Sequence, residues 1–162
     1  MLLNGDSVKK NKKEAAKYLK KAADTNNAEA CLIYGTMLEA GDGIKIDHKE
    51  AAKYFKIAAD NGCANSMYNY AVMLEKGIGI PLDKKLSVKY FKMAAEKQFP
   101  HAMFVYGTKL LNGDNVSMNK KEAARYLKIV ADNNNDFTDD AAYIYGKMLF
   151  LGDGIDKNKN EA

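Results

Sequence analysis

Lys13-Glu14-Ala15-Ala16-Lys17-Tyr18 returns unchanged in residue type as Lys49 to Tyr54, then as Lys85-Leu86-Ser87-Val88-Lys89-Tyr90, and again as Lys121-Glu122-Ala123-Ala124-Arg125-Tyr126. Tyr18, Tyr54, Tyr90 and Tyr126 therefore stand 36 residues apart, and a chain with such a period is an array of repeated supersecondary units. A second series, Tyr34-Gly35, Tyr70-Ala71, Tyr106-Gly107 and Tyr145-Gly146, follows at spacings of 36, 36 and 39, the three extra residues falling in the segment 133–139. A third consists of Gly41-Asp42-Gly43-Ile44, Gly77-Ile78-Gly79-Ile80, Gly113-Asp114-Asn115-Val116 and Gly152-Asp153-Gly154-Ile155, with Gly5-Asp6-Ser7-Val8 as an earlier copy. Five copies at one phase, with no preceding strand and no Gly-Lys-Ser/Thr, are turns that end helices and not a phosphate loop.

Each unit reads as two helices. The first runs over 28–40, 64–76, 100–112 and 139–151, and in it Ala30, Tyr34 and Leu38 fall at i, i+4 and i+8 to give one apolar stripe. The second opens with an acceptor followed three residues later by glutamate: Asn11 with Glu14, Asp47 with Glu50, Asn119 with Glu122. Asp83 keeps the cap, but Leu86 replaces the glutamate. The second helix is expected to bury Ala51, Tyr54, Phe55 and Ala58 and to turn Lys49, Lys53 and Lys56 to solvent. Gly35, Ala71, Gly107 and Gly146 put a small residue inside each first helix, where glycine costs about 1 kcal/mol against alanine, so close approach of a neighbouring helix is expected there. A pair this small cannot cover its own apolar face and must stack on the next, so the fold class is all-α, a solenoid of antiparallel two-helix repeats.

The composition agrees: 47% hydrophobic and 28% charged residues supply a packed core, and two prolines with no tryptophan favour helix. The 25 basic and 21 acidic residues alternate to a net +4, and Arg125 is the only arginine, which argues against nucleic-acid recognition. Cys31 and Cys63 have no paired spacing and suit reduced thiols, so a cytoplasmic setting is favoured. No stretch reaches the ~18 apolar residues of a membrane span. Leu2-Leu3-Asn4-Gly5-Asp6 matches the tail of a first helix and Asn158 to Ala162 the start of a second, so the chain reads as a piece of a longer array. Exposed terminal faces would then permit self-association.

Ala30, Tyr34-Gly35, Leu38, Gly41-Asp42-Gly43-Ile44, Asp47, Lys49, Ala51, Tyr54 and Ala58-Ala59 to Gly62 together resemble the Sel-one-like repeat (SLR), a relative of the tetratricopeptide repeat. The resemblance covers the whole chain: a partial repeat at 1–27, full repeats at 28–63, 64–99 and 100–138, and a partial one at 139–162. Ala71 and Asn115 depart from the pattern's glycines, and the segment 133–139 lengthens one turn. What the resemblance implies is a right-handed superhelix whose first helices line a concave surface, and an adaptor role with a protein or peptide partner. It also implies that secreted relatives with paired cysteines, associated with β-lactam or cell-wall binding, form a subclass from which this chain departs.

Repeat phase names the inner face. Counting from Gly35 and its equivalents, the positions six and three before and one and four after point away from the apolar stripe. They are Glu29, Leu32, Thr36 and Glu39; Asn65, Tyr68, Val72 and Glu75; His101, Phe104, Thr108 and Leu111; and Asp140, Tyr143, Lys147 and Phe150. The ladder Leu32, Tyr68, Phe104, Tyr143 is either a stripe of binding anchors or core packed between adjacent helices.

Chemistry has no candidate constellation. His48 and His101 begin helices of different type in different units, the cysteines are far apart, and no Gly-x-Ser-x-Gly elbow occurs. No cofactor, metal or catalytic residue is expected, and both histidines read as surface residues. A protein-interaction scaffold comes first, a cell-wall or carbohydrate-associated repeat protein second, an undetected hydrolase third.

Overall fold

The computed structural model describes residues 12–155, and all eight elements in it are helices. They are α1 (Lys12–Ala23), α2 (Ala28–Ala40), α3 (His48–Asp60), α4 (Ala64–Lys76), α5 (Lys84–Glu96), α6 (Pro100–Asn112), α7 (Lys120–Asp132) and α8 (Thr138–Leu151). Even-numbered helices are the first helices of the repeats and odd-numbered ones the second. Each packs chiefly against the helices directly before and after it in the chain, so the core is one continuous seam along a solenoid.

The turn after each first helix is built the same way four times. Gly41, Gly77, Gly113 and Gly152 hold φ between 67 and 72°, the left-handed region that lets the chain leave the helix. The next amide then closes on a carbonyl of the last turn: Asp42 on Met37 at 3.0 Å, Ile78 on Met73 at 3.0 Å, Asp114 on Lys109 at 3.0 Å and Asp153 on Met148 at 2.9 Å. The residue that caps the second helix returns its own amide to the first, Asp47 to Leu38 at 3.0 Å, Asp83 to Leu74 at 2.9 Å and Asn119 to Leu110 at 2.9 Å. Its side chain accepts from the third amide of the helix, Glu50 for Asp47 and Leu86 for Asp83 at 2.9 Å, Glu122 for Asn119 at 3.0 Å. The Asn119 side-chain amide also donates to the Glu122 carboxylate at 3.0 Å, in place of the backbone amide that a capping box would use. The Asn11 cap lies outside the described residues.

The second loop glycine does a different job. A Cβ on Gly43 would meet the Lys12 carbonyl carbon at 2.8 Å, and one on Gly79 would strike the His48 carbonyl and come within 2.7 Å of the Lys49 amide nitrogen. Gly154 bears on Lys120 in the same way. Lys12, His48 and Lys120 each open a second helix, so this glycine is where one repeat's loop lies on the previous repeat's backbone. Lys12 reaches Asp42 at 2.5 Å and Lys120 reaches Asp153 at 2.6 Å across the same joint.

Within a repeat the two tyrosine series meet edge to face, Tyr34 with Tyr54 at 5.0 Å, Tyr70 with Tyr90 at 4.9 Å and Tyr106 with Tyr126 at 5.5 Å between centroids. Between repeats the Tyr54 hydroxyl donates to Asp24 at 2.7 Å and Tyr90 to Asp60 at 3.3 Å. The expected core residues Ala51, Tyr54, Phe55 and Ala58 are all buried, and Lys49, Lys53 and Lys56 are exposed. Close approach at the mid-helix glycine is real: a Cβ on Gly35 would lie 2.8 Å from the Phe55 ring.

Candidate functional site

The face named by repeat phase is a strip running across α2, α4, α6 and α8. Thr36, Tyr143, Lys147 and Phe150 are exposed; Leu32, Glu39, Tyr68, Val72, Glu75, His101, Phe104, Thr108 and Leu111 are half-buried. Of its aromatic side chains, Tyr143 is 72% and Phe150 56% accessible.

Two open clefts interrupt the strip. One, of about 580 Å³, lies between α2 and α4 and is lined by Leu32, Thr36, Met37, Glu39, Asn65 and Asn69 among others. The other, of about 530 Å³, lies between α6 and α8 and is lined by Thr108, Leu111, Asn112, Tyr143, Ile144, Lys147, Met148 and Leu151, with Met118, Lys120 and Asp153 at the loop end. The α2/α4 cleft thus brings together Leu32, Thr36, Glu39 and Asn65 of the phase-derived face, and the α6/α8 cleft Thr108, Leu111, Tyr143 and Lys147.

Between α4 and α6 the strip is bridged by side chains. Lys109, only 7% exposed, stands where the other repeats have Met37, Met73 and Met148. Its ammonium lies 5.8 Å from the centroid of the Phe91 ring and pairs with Glu75 of α4 and, at 2.9 Å, with Asp114 of the following turn. Burial acts to lower the Lys109 pKa, but the hydrogen bonds to Glu75 and Asp114 outweigh it and hold the ammonium protonated. The same contact keeps the Asp114 carboxyl below the usual carboxylate range. A break in a methionine series was the only signal of this bridge in the sequence.

The middle rungs of the ladder are packed on aromatics of the core and of the turns. Tyr68 lies 5.6 Å from Phe91 and 5.5 Å from Phe99, and burial pushes its hydroxyl pKa up. Phe104 stacks on Phe137 at 4.8 Å. His101 is half-buried rather than a surface residue: its ring stacks on Phe99 at 5.2 Å and meets Phe137 edge-on at 4.9 Å. Its Nε2 is 3.7 Å from Asp136, and its Nδ1 is buried without a hydrogen-bond partner among the described residues. His48 is exposed.

Nothing in this arrangement converges on a reacting atom. Among the described residues no group of three or more His, Cys, Asp or Glu side chains is placed to hold a metal ion, and no helix is long and apolar enough to cross a membrane. Cys31 and Cys63 are free thiols, Cys31 fully buried.

Known proteins show the same architecture. A Sel1 repeat protein from Oxalobacter formigenes superposes with a TM-score of 0.84 at 28% identity, over 93% of this chain and 43% of that one. A protective antigen present in uropathogenic Escherichia coli strains, displaying an SLR fold, gives 0.86 at 23% identity over 98% of this chain and 33% of that one. Helicobacter pylori cysteine rich protein B gives 0.63 at 23% identity over 87% and 99%. This chain thus spans less than half the length of the first two. No curated protein matches the sequence. The profile of the Sel1 repeat matches residues 1–27, 28–63, 64–99, 100–135 and 139–162. The chain belongs to the Sel1 repeat family.

Proposed function

We propose that this chain is an adaptor that holds an extended peptide or the surface of a partner protein against the first helices of its repeats, the concave side in the geometry the family resemblance implies. Sel1 repeats are non-catalytic scaffolds that mediate protein–protein interactions. The observation that carries the reading is that two open clefts on the first helices are lined by repeat-equivalent side chains, Leu32 and Thr36 in one where Tyr143 and Lys147 stand in the other. Side chains in periodic register suit a ligand that is itself extended and periodic. Three or four anchors worth ~1–2 kcal/mol each, less the cost of ordering the ligand, give an affinity in the micromolar range.

The test is affinity capture from the native organism with the wild-type chain, with Thr36→Arg/Tyr143→Ala, and with the outer-face variant Lys89→Glu. Thr36, Tyr143 and Lys89 are exposed, so none of the changes disturbs the core. A partner retained by wild type and Lys89→Glu but lost from Thr36→Arg/Tyr143→Ala supports the reading. Retention by all three places the interface elsewhere.

A further inference from the structure

Building on the adaptor reading, we propose that the two clefts differ in the charge they accept, so that a bound peptide has a fixed direction. The α6/α8 cleft takes a bulky apolar side chain with a carboxylate beside it, and the cationic end of the same peptide lies over α2/α4.

Leu111, Met118, Ile144, Met148 and Leu151 give the α6/α8 cleft an apolar floor and walls, with the exposed Tyr143 ring also lining it. That surface accommodates one large aliphatic or aromatic side chain. Three ionic groups line it. Lys120 and Asp153 neutralise each other at 2.6 Å, which leaves Lys147 as an exposed cation with no ion-pair partner among the described residues. The cleft therefore carries one uncompensated positive charge beside an apolar floor.

The α2/α4 cleft is its opposite. Thr36 stands at the position Lys147 holds in the last repeat, and the charged residues lining it are Glu39 and Asp42. Asp42 is neutralised by Lys12 at 2.5 Å, so Glu39 remains as an uncompensated anion, flanked by the amides of Asn65 and Asn69. Between the clefts the Lys109 bridge to Glu75 ties up the charge of the middle repeat. A peptide crossing the strip thus meets an anion at one end and a cation at the other, and complementary charge selects one direction.

Binding of fluorescein-labelled peptides to the 162-residue chain, read by fluorescence anisotropy at low salt, tests this. Three peptides share one phenylalanine in a Gly-Ser background, followed by two glutamates, two glutamines or two lysines. The glutamate peptide is expected to bind about tenfold more tightly than the lysine peptide, with glutamine between them, and Lys147→Glu to reverse the order. Tyr143→Ala should weaken all three. Equal dissociation constants for the glutamate and lysine peptides, or a preference that survives Lys147→Glu, overturn the polarity and leave the adaptor reading standing on its own capture experiment. Failure of every peptide to bind at millimolar concentration, or a self-associating chain that the glutamate peptide does not dissociate, also overturns it.

Discussion

Gly79→Ala isolates the joint between repeats. The residue holds φ at 70°, where an L side chain costs about 1–2 kcal/mol. Its new Cβ would also strike the His48 carbonyl and approach the Lys49 amide nitrogen to 2.7 Å, and those are backbone atoms of the preceding repeat that no rotamer change can move. Overpacking of that kind adds about 1–3 kcal/mol. Gly77→Ala is the control: its φ is 67°, but its Cβ would meet only the Leu82 side chain at 3.3 Å and the neighbouring backbone no closer than 3.6 Å. Loss of unfolded-state entropy favours both variants equally and cancels in the comparison. Gly79→Ala is therefore expected to be less stable than Gly77→Ala by about 1–3 kcal/mol. For a chain of this size that is a melting-temperature gap of roughly 2–12 °C. Urea unfolding followed by circular dichroism at the helix minimum reads the difference directly. Two variants equal within about 0.5 kcal/mol would show that the second loop glycine bears no inter-repeat contact and refute the stacking geometry.

Three further outcomes follow from particular contacts. Lys109→Met restores the residue of the other three repeats and lets Glu75 and Asp114 rehydrate, so stability in urea should hold or rise by up to about 1 kcal/mol, whereas Lys109→Ala should cost about 2–3 kcal/mol. The Asp24 carboxyl is held below its ordinary value, first by the Tyr54 hydroxyl and then by Lys20. Its contribution is therefore present above about pH 4 and lost as pH falls through the lowered value, so the melting-temperature gap between wild type and Tyr54→Phe should be level from neutral pH and close in acid. Cys31 is fully buried and its thiol is pushed up in pKa by that burial, while Cys63 is half-buried. A thiol reagent at neutral pH should modify Cys63 first and Cys31 only at urea concentrations that unfold the chain.

The helices were legible because their ends carry local chemistry. Cap residues and left-handed glycines are short-range signals, and α2, α4 and α6 begin and end where the repeat pattern puts them. The last first helix begins at Thr138, one residue before the expected Asp139. In the lengthened turn Asn135 donates to the Val130 carbonyl at 2.9 Å and accepts from the Phe137 amide at 2.9 Å, winding the chain into the helix early. The face was legible as a set of phases but not as a shape. Phase says which side chains share a side of a helix; it does not say that Phe99 and Phe137, in the turns before the next helices, lean back onto Tyr68 and Phe104. Nor does it foresee that Lys109 spans to Glu75 and divides the strip. The Lys109 contact joins two units, which a repeat unit read by itself does not contain. The aromatic contacts join a first helix to the turn that closes its own unit, some 31 to 33 residues on, beyond the reach of helical phase.

Hydrogen–deuterium exchange on the chain with and without its captured partner addresses the adaptor account most directly. Slowed exchange on binding should appear in α2, α4, α6 and α8, strongest around Thr36 to Glu39 and Tyr143 to Lys147, with α3, α5 and α7 unchanged. Protection confined to α3, α5 and α7 would place the partner on the opposite side of the solenoid and contradict the account.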